Sequence, residues 1–113
     1  MPTVFVTGGT GFMGRTLIAQ LLRRGYQVKA LVRPGSEHKL PHGCIAVQGN
    51  ALEKSSFASE IAPAETFVQL VGVTHPSPSK AKEFQDVDLS SARAAIEAAR
   101  DAGVSQFVYV SVA

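Results

Sequence analysis

Short apolar runs alternate along this chain with segments whose apolar residues recur every three or four positions. The first run, Thr3 to Thr7 (TVFVT), is β-branched and aromatic, as a buried parallel strand requires. From Met13 the apolar positions fall at Met13, Leu17, Ile18, Leu21 and Leu22, one stripe of a helix facing a sheet. Arg23 and Arg24 supply a cationic last turn, and Gly25 a stop. Tyr26 to Val32 then reads as a second strand. Pro34 to Gly43 reads as a loop with at most a short helix capped by Ser36. Cys44 to Gln48 is the third strand. Ser55 to Ile61 reads as a short helix, capped by Ser55 or Ser56 and ended by Pro63. Thr66 to Val71 is the fourth strand. The Pro-, Ser- and Lys-rich stretch Thr74 to Lys82 reads as an exposed loop. A long helix follows over Lys82 to Ala102, with apolar positions at Phe84, Leu89, Ala92, Ile96 and Ala99, and Gly103 closes it. Gln106 to Ser111 is the fifth strand.

Strands alternating with helices imply right-handed crossovers and a parallel sheet. The expected fold class is α/β, a Rossmann-type doubly wound parallel sheet of strand order 3-2-1-4-5, occupying residues 1–113 as one domain. In such sheets a ligand binds beyond the strand C-termini, where the order reverses, here between strands 1 and 4. The sequence stops at Ala113, on the last residues of a strand that normally receives a further helix. This predicts the N-terminal part of a longer protein, truncated after the fifth strand. The part of the sheet left uncovered would be open to self-association.

Between the first strand and the first helix lies TGGTGFMG, Thr7 to Gly14. A glycine triplet that leaves a strand and opens a helix has a physical role. Gly8 permits the tight turn. Gly11 lets backbone approach a pyrophosphate, where a Cβ would intrude. Gly14 lets the helix pack closely. The free N–H groups and dipole of the helix start favour the anion. A mononucleotide P-loop would need Gly-Lys before Ser or Thr, but Arg15 and Thr16 follow Gly14. A methyltransferase loop has a tighter glycine cluster and an acid ending the second strand, and that acid is missing. The competing reading is a glycine-rich turn with no ligand.

The residue ending the second strand discriminates between dinucleotides. An acid there bonds the adenosine ribose, whereas an Arg accommodates a 2′-phosphate. Here it is Arg33, nineteen positions after Gly14, whose planar fork of donors can also stack on adenine. Ser36, His38 and Lys39 follow and add potential phosphate contacts. These residues predict NADP over NAD; the competing reading is a solvated loop arginine.

Composition narrows the classes. The net charge is +2, with acids and bases interspersed and no basic stripe for nucleic acid. Cys44 is the single cysteine, so no disulfide forms within the chain. Its apolar setting predicts a buried structural thiol. His38 and His42 are four apart, but Pro41 spoils a shared helix face, so no metal site is expected. No apolar stretch reaches membrane-span length, and the chain opens directly on a strand without a signal-like core. A cytoplasmic location is expected.

With TGGTGFMG, LVRPGS from Leu31, QGNALE from Gln48, VQLVG from Val68 and GVSQFVYVS from Gly103 in order, the chain resembles the short-chain dehydrogenase/reductase superfamily. The closer resemblance is to its extended and atypical members: nucleotide-sugar epimerases, NmrA-like proteins and the complex I 39 kDa-subunit-like group. The resemblance implies that Thr10, Gly11, Phe12 and Met13 line the pyrophosphate and Arg33 meets the adenosine end. Asn50 and Ala51 would stand near the adenine. Val71, Gly72 and Val73 would pass behind the ribose and nicotinamide. Family enzymes use a Tyr and, four residues later, a Lys that lowers its pKa. Here Tyr26 is followed at that spacing by Ala30 and Tyr109 by Ala113, so no catalytic residue is assigned within the chain. Tyr109 is expected in the core. The family's catalytic Ser or Thr aligns with Val112. Ser111 either lines the cofactor end of strand five or is structural. The expected function is the NADP(H)-binding part of a reductase- or epimerase-like protein, inactive alone. The alternatives are a non-enzymatic redox sensor or assembly subunit, and a domain binding S-adenosylmethionine.

Overall fold

The computed structural model describes residues 2–70 and 81–110, and for 81–88 the backbone alone. Five parallel strands form one sheet: β1 (Thr3–Thr7), β2 (Gln27–Val32), β3 (Ile45–Gln48), β4 (Thr66–Gln69) and β5 (Gln106–Tyr109). Their order is β3-β2-β1-β4-β5, the order expected of a doubly wound fold. Helix α1 (Phe12–Arg23) links β1 to β2, and helix α2 (Ala81–Asp101) precedes β5. Val4 pairs with both Val28 and Thr66, and Val68 pairs with Val108, which fixes the register across the sheet.

Alternation along β1 sends its residues to two cores. Val4 and Val6 join Val28, Ala30, Val68 and Leu70 beneath Ile18 of α1. Phe5 points the other way, into a cluster with Phe57, Phe67 and the alanines of α2. Because both faces of β1 are covered, all five of its residues are buried. The aromatic rings meet at centroid distances of 5.2 Å (Phe5–Phe67), 6.0 Å (Phe5–Phe57) and 5.3 Å (Phe67–Phe107). Both helices end in the same hydrogen-bond pattern: Gly25 N–H to Leu22 and Tyr26 N–H to Leu21, then Gly103 N–H to Arg100 and Val104 N–H to Ala99.

Several expectations are corrected. The stretch Ser55 to Ile61 is two single 3₁₀ turns, Lys54–Ser56 and Ala58–Glu60, broken where Phe57 is drawn fully into the core. Neither Ser55 nor Ser56 caps them, and Ser36 makes no side-chain cap to the turn Glu37–Lys39. Ala81, read as loop, is already helical, while 71–80 lie outside the described residues. The inward face of α2 carries Ser91, Ala94, Ala95, Ala98 and Ala99, whereas Leu89 and Ile96 are more than half exposed. The physical reason is volume: the phenylalanines of the sheet and Phe57 fill the space, so the helix contributes small residues there. Met13 is turned outward for a related reason, since Gly14, one position on, faces the glycine turn. Tyr109 is exposed rather than core, because β5 is an edge strand. Cys44 is half-buried, just before β3, and burial pushes its thiol up to about 11, consistent with a structural thiol.

Candidate functional site

The C-terminal ends of β1, β2 and β3 converge on one cleft. Gly8 and Thr10 line it from the glycine turn, Leu31, Val32, Arg33 and Ser36 from the end of β2, and Gly49, Asn50, Ala51 and Leu52 from the end of β3. Six of these ten residues were singled out from the sequence: Gly8, Thr10, Arg33, Ser36, Asn50 and Ala51. Phe12 and Met13 stand at the start of α1, 82% and 47% exposed, outside the cleft lining. Val71, Gly72, Val73 and Ser111 lie outside the described residues.

The glycines behave differently from one another. Gly8 turns the chain at φ 75°, a conformation that L side chains rarely adopt. A Cβ on Gly14 would lie 2.3 Å from the Gly8 carbonyl oxygen and 2.7 Å from the Gly9 Cα, so α1 packs directly on the turn. Among the described residues, a Cβ on Gly11 would meet nothing closer than the Gly8 oxygen at 3.7 Å. Among the described residues the space beside Gly11 is therefore open, as backbone approach by a pyrophosphate requires. Gly9 is a residue sequence reasoning passed over: a Cβ there would stand 2.9 Å from Ile18 Cδ1. Helix α1 has no side-chain cap and no acid in its first turn. The N–H groups of Phe12, Met13 and Gly14 consequently have no partner within the helix, while Arg15 N–H bonds Gly11. Such a helix start suits an anion.

The far wall is built by hydrogen bonds between loops. Gly49 N–H bonds the Val32 carbonyl at 2.9 Å, drawing the ends of β2 and β3 together. Ser56 accepts Asn50 N–H at 2.9 Å and lies 3.0 and 2.7 Å from the carbonyls of Asn50 and Glu53. Asn50, which lines the cleft, accepts Leu52 N–H on Oδ1 at 2.9 Å. Arg33 is exposed, with no ion pair among the described residues. Glu37 accepts Gly35 N–H on both carboxylate oxygens and is also bonded by the Gln48 side chain. Its own backbone N–H and that of Gly35 hold the carboxyl below the usual range. Gly49, Leu31, Val32 and Leu52 escaped sequence reasoning because only the convergence of two strand ends makes them neighbours. One signal was present in the charges: no acid precedes Glu37, while Arg15, Arg23, Arg24, Lys29 and Arg33 do. Charge is not evenly interspersed, and the segment bearing the glycine turn is uniformly basic.

Behind the turn, Thr7, Gln69 and Ser91 are fully buried. Thr7 Oγ1 donates to Gln69 Oε1, and Gln69 Nε2 donates to Ser91 Oγ at 3.2 Å. The chain of bonds ties the ends of β1 and β4 to α2.

This cleft, at the C-terminal ends of β1, β2 and β3 and beside an uncapped helix start, in a sheet whose strand order reverses at β1, defines a dinucleotide-binding Rossmann domain. The family model described as NAD(P)H-binding matches residues 8–113. The chain belongs to this NAD(P)H-binding family, within the short-chain dehydrogenase/reductase superfamily. It is 29% identical over 109 residues to a 4-hydroxy-2-methyl-3-oxo-4-farnesyl-3,4-dihydroquinoline-1-oxide ketoreductase of Stigmatella aurantiaca, covering 95% of this chain and 32% of that protein. It is 30% identical over 112 residues to the photosystem II assembly factor Ycf39 of Trieres chinensis, covering 96% and 34%. Among solved structures it matches a short-chain dehydrogenase/reductase superfamily protein of Agrobacterium tumefaciens with bound NAD. That match has a TM-score of 0.74 and 25% identity and covers 95% of this chain and 31% of that one. The chain thus spans about a third of the length of the curated relatives it matches. A nicotinamide dinucleotide is the cofactor class of this domain. No helix among the described residues is long and apolar enough to cross a membrane.

Proposed function

We propose that this domain binds NADP(H) in preference to NAD(H), as the N-terminal part, residues 1–113, of a cytoplasmic reductase- or epimerase-like protein. The observation that carries the proposal is the end of β2. Arg33 and Ser36, with no acid between them, line the cleft where an adenosine 2′-phosphate would lie. Gly8, Thr10, Gly11, Phe12, Met13 and Gly14 would take the pyrophosphate through backbone N–H groups. Asn50 and Ala51 would border the adenine, with the Asn50 amide donating to its edge. Val71, Gly72, Val73 and Ser111 would serve the nicotinamide end.

The bound cofactor supplies hydride chemistry. The family's proton-donating Tyr–Lys pair would come from elsewhere in the protein, because neither Tyr26 nor Tyr109 has a Lys four residues on, and from this segment only the Thr74–Lys82 loop would touch a substrate. This segment alone should therefore hold cofactor without turning over. The half-exposed Tyr109 and the neighbouring Val108 leave apolar surface on β5 for self-association.

Fluorescence titration with NADPH and NADH is the test. NADPH should bind more tightly, and Arg33→Ala should abolish the difference. Tighter binding of NADH, or an Arg33→Ala variant with unchanged NADPH affinity, refutes the assignment. The second reading is a non-enzymatic assembly subunit. It draws support from the assembly factor that is 30% identical over nearly the whole chain. A Tyr followed four residues later by a Lys, downstream in the full reading frame, discriminates for the enzyme.

A further inference from the structure

We infer that Glu37 is the positioning residue of the 2′-phosphate-reading turn: it holds Arg33 and Ser36 in place without touching the cofactor itself. The inference rests on the NADP reading above and adds the device that makes it work.

The turn Arg33 to Ser36 projects from the end of β2 and is closed by a backbone bond from Ser36 N–H to the Arg33 carbonyl at 3.0 Å. Left to itself, such a turn is a poor phosphate reader. A long exposed side chain on a loose loop must lose both its own freedom and the loop's when it binds. Two bonds remove the second cost in advance. The Glu37 carboxylate accepts Gly35 N–H at 3.2 and 3.1 Å, one distance to each oxygen, so the turn is gripped in the middle. The same carboxylate accepts the side-chain amide of Gln48, the last residue of β3. Gln48 is itself paired with Val32, the residue before Arg33, across the β2–β3 ladder. The result is a closed circuit: β2, the turn, Glu37, Gln48 and back to β2. An ionised acceptor strengthens each of these bonds relative to a neutral one.

Glu37 is absent from the residues lining the cleft, whereas Arg33 and Ser36 are among them. This separates support from contact. The carboxylate keeps its negative charge, but its oxygens are engaged by Gly35 N–H and the Gln48 amide.

The experiment compares wild type with Glu37→Ala, Glu37→Gln, Gln48→Ala and Arg33→Ala by titration with NADPH and with NADH. Amide hydrogen exchange is followed over residues 33–36, and thermal unfolding serves as a check that each variant folds. Glu37→Ala should weaken NADPH about five- to tenfold while changing NADH less than about twofold, with faster exchange at Gly35. Glu37→Gln keeps an acceptor for Gly35 N–H and should recover part of the loss. Gln48→Ala should fall between, and the double variant should be no worse than Glu37→Ala alone, because the two act through one circuit. NADPH affinity that is unchanged or tighter in Glu37→Ala, or equal losses for both cofactors, overturns the inference. If Arg33→Ala removes the NADPH preference and Glu37→Ala does not, the positioning role alone is refuted. If wild type prefers NADH and ignores Arg33→Ala, the cofactor reading and this inference fall together.

Discussion

Replacing Gly11 and Gly14 by alanine, one at a time, should separate the fold of the glycine turn from its binding function. At Gly14 the new Cβ would sit 2.3 Å from the Gly8 oxygen, 2.7 Å from the Gly9 Cα and 2.9 Å from the Gly9 carbonyl carbon. The first of these is roughly an ångström inside ordinary contact, and every atom struck is backbone. Overpacking of this kind costs about 1–3 kcal/mol, and backbone cannot swing aside as a side chain does. Alanine gains about 1 kcal/mol over glycine within a helix. With the clash at the upper end, Gly14→Ala should destabilise by about 2 kcal/mol, or roughly 10 °C in Tm for a domain of this size. It should also weaken cofactor, since the displaced Gly8 lines the cleft. At Gly11 the backbone stands at φ −74° and ψ 170°, which alanine adopts freely, and among the described residues the nearest contact of the new Cβ is the Gly8 oxygen at 3.7 Å. The gain from a less flexible unfolded chain, about 0.4–1 kcal/mol, is offset by the poorer helix cap. Stability should stay within about 0.5 kcal/mol, while NADPH affinity falls by at least about tenfold as the methyl occupies the open space. Urea unfolding and NADPH fluorescence titration on the two variants read both quantities. A Gly11→Ala protein that binds like wild type would refute the placement of phosphate there. A Gly14→Ala protein as stable as wild type would refute the close-packing argument.

Phe57→Ala should cost about 3–5 kcal/mol in urea unfolding, because a fully buried ring packed against Phe5 and Phe67 is removed and leaves a cavity. Gln69→Leu should cost about 1–3 kcal/mol by leaving the buried Thr7 hydroxyl unpaired; the double variant Thr7→Val/Gln69→Leu should recover part of that loss, and a strictly additive result would argue against the network. Cys44 should react with iodoacetamide at pH 8 far more slowly in the folded protein than in urea. Its folded pKa is raised to about 11 by burial from an ordinary value near 9, so its contribution to stability is full below about pH 9 and is lost as pH rises towards 11; Cys44→Ala should remove that part of the alkaline decline.

Much of the architecture was legible in the chain because its signals are local. The β-branched run Thr3 to Thr7, the helical stripe through Leu17, Ile18, Leu21 and Leu22, and the glycines at 8, 11 and 14 each report a conformation that neighbouring residues alone enforce. From these the strand order follows by the handedness of crossovers, and the observed sheet has that order. Arg33 and Asn50 were legible as well, since each occupies a fixed place just past a strand. The inward face of α2 was not. The expectation followed the large apolar residues Leu89 and Ile96, which are exposed, although Ala99 in the same set is buried; the buried side carries the small residues Ser91, Ala94, Ala95, Ala98 and Ala99, opposite the exposed Arg93, Glu97, Arg100 and Asp101.

What tertiary structure decided is what depends on space shared between distant segments. The room left by Phe5, Phe57, Phe67 and Phe107 selected the alanine face of α2 and set Leu89 and Ile96 in solvent. Phe57, buried between two 3₁₀ turns, broke the helix that its flanking serines suggested. The union of Gly49 and Leu31 in one cleft wall, and the grip of Glu37 on Gly35 and Gln48, exist because β2 and β3 lie side by side. By itself the sequence determined the elements and the residues at their ends, through local propensity and steric need. Only packing determined which faces met, because volume is conserved across a core and not along a chain.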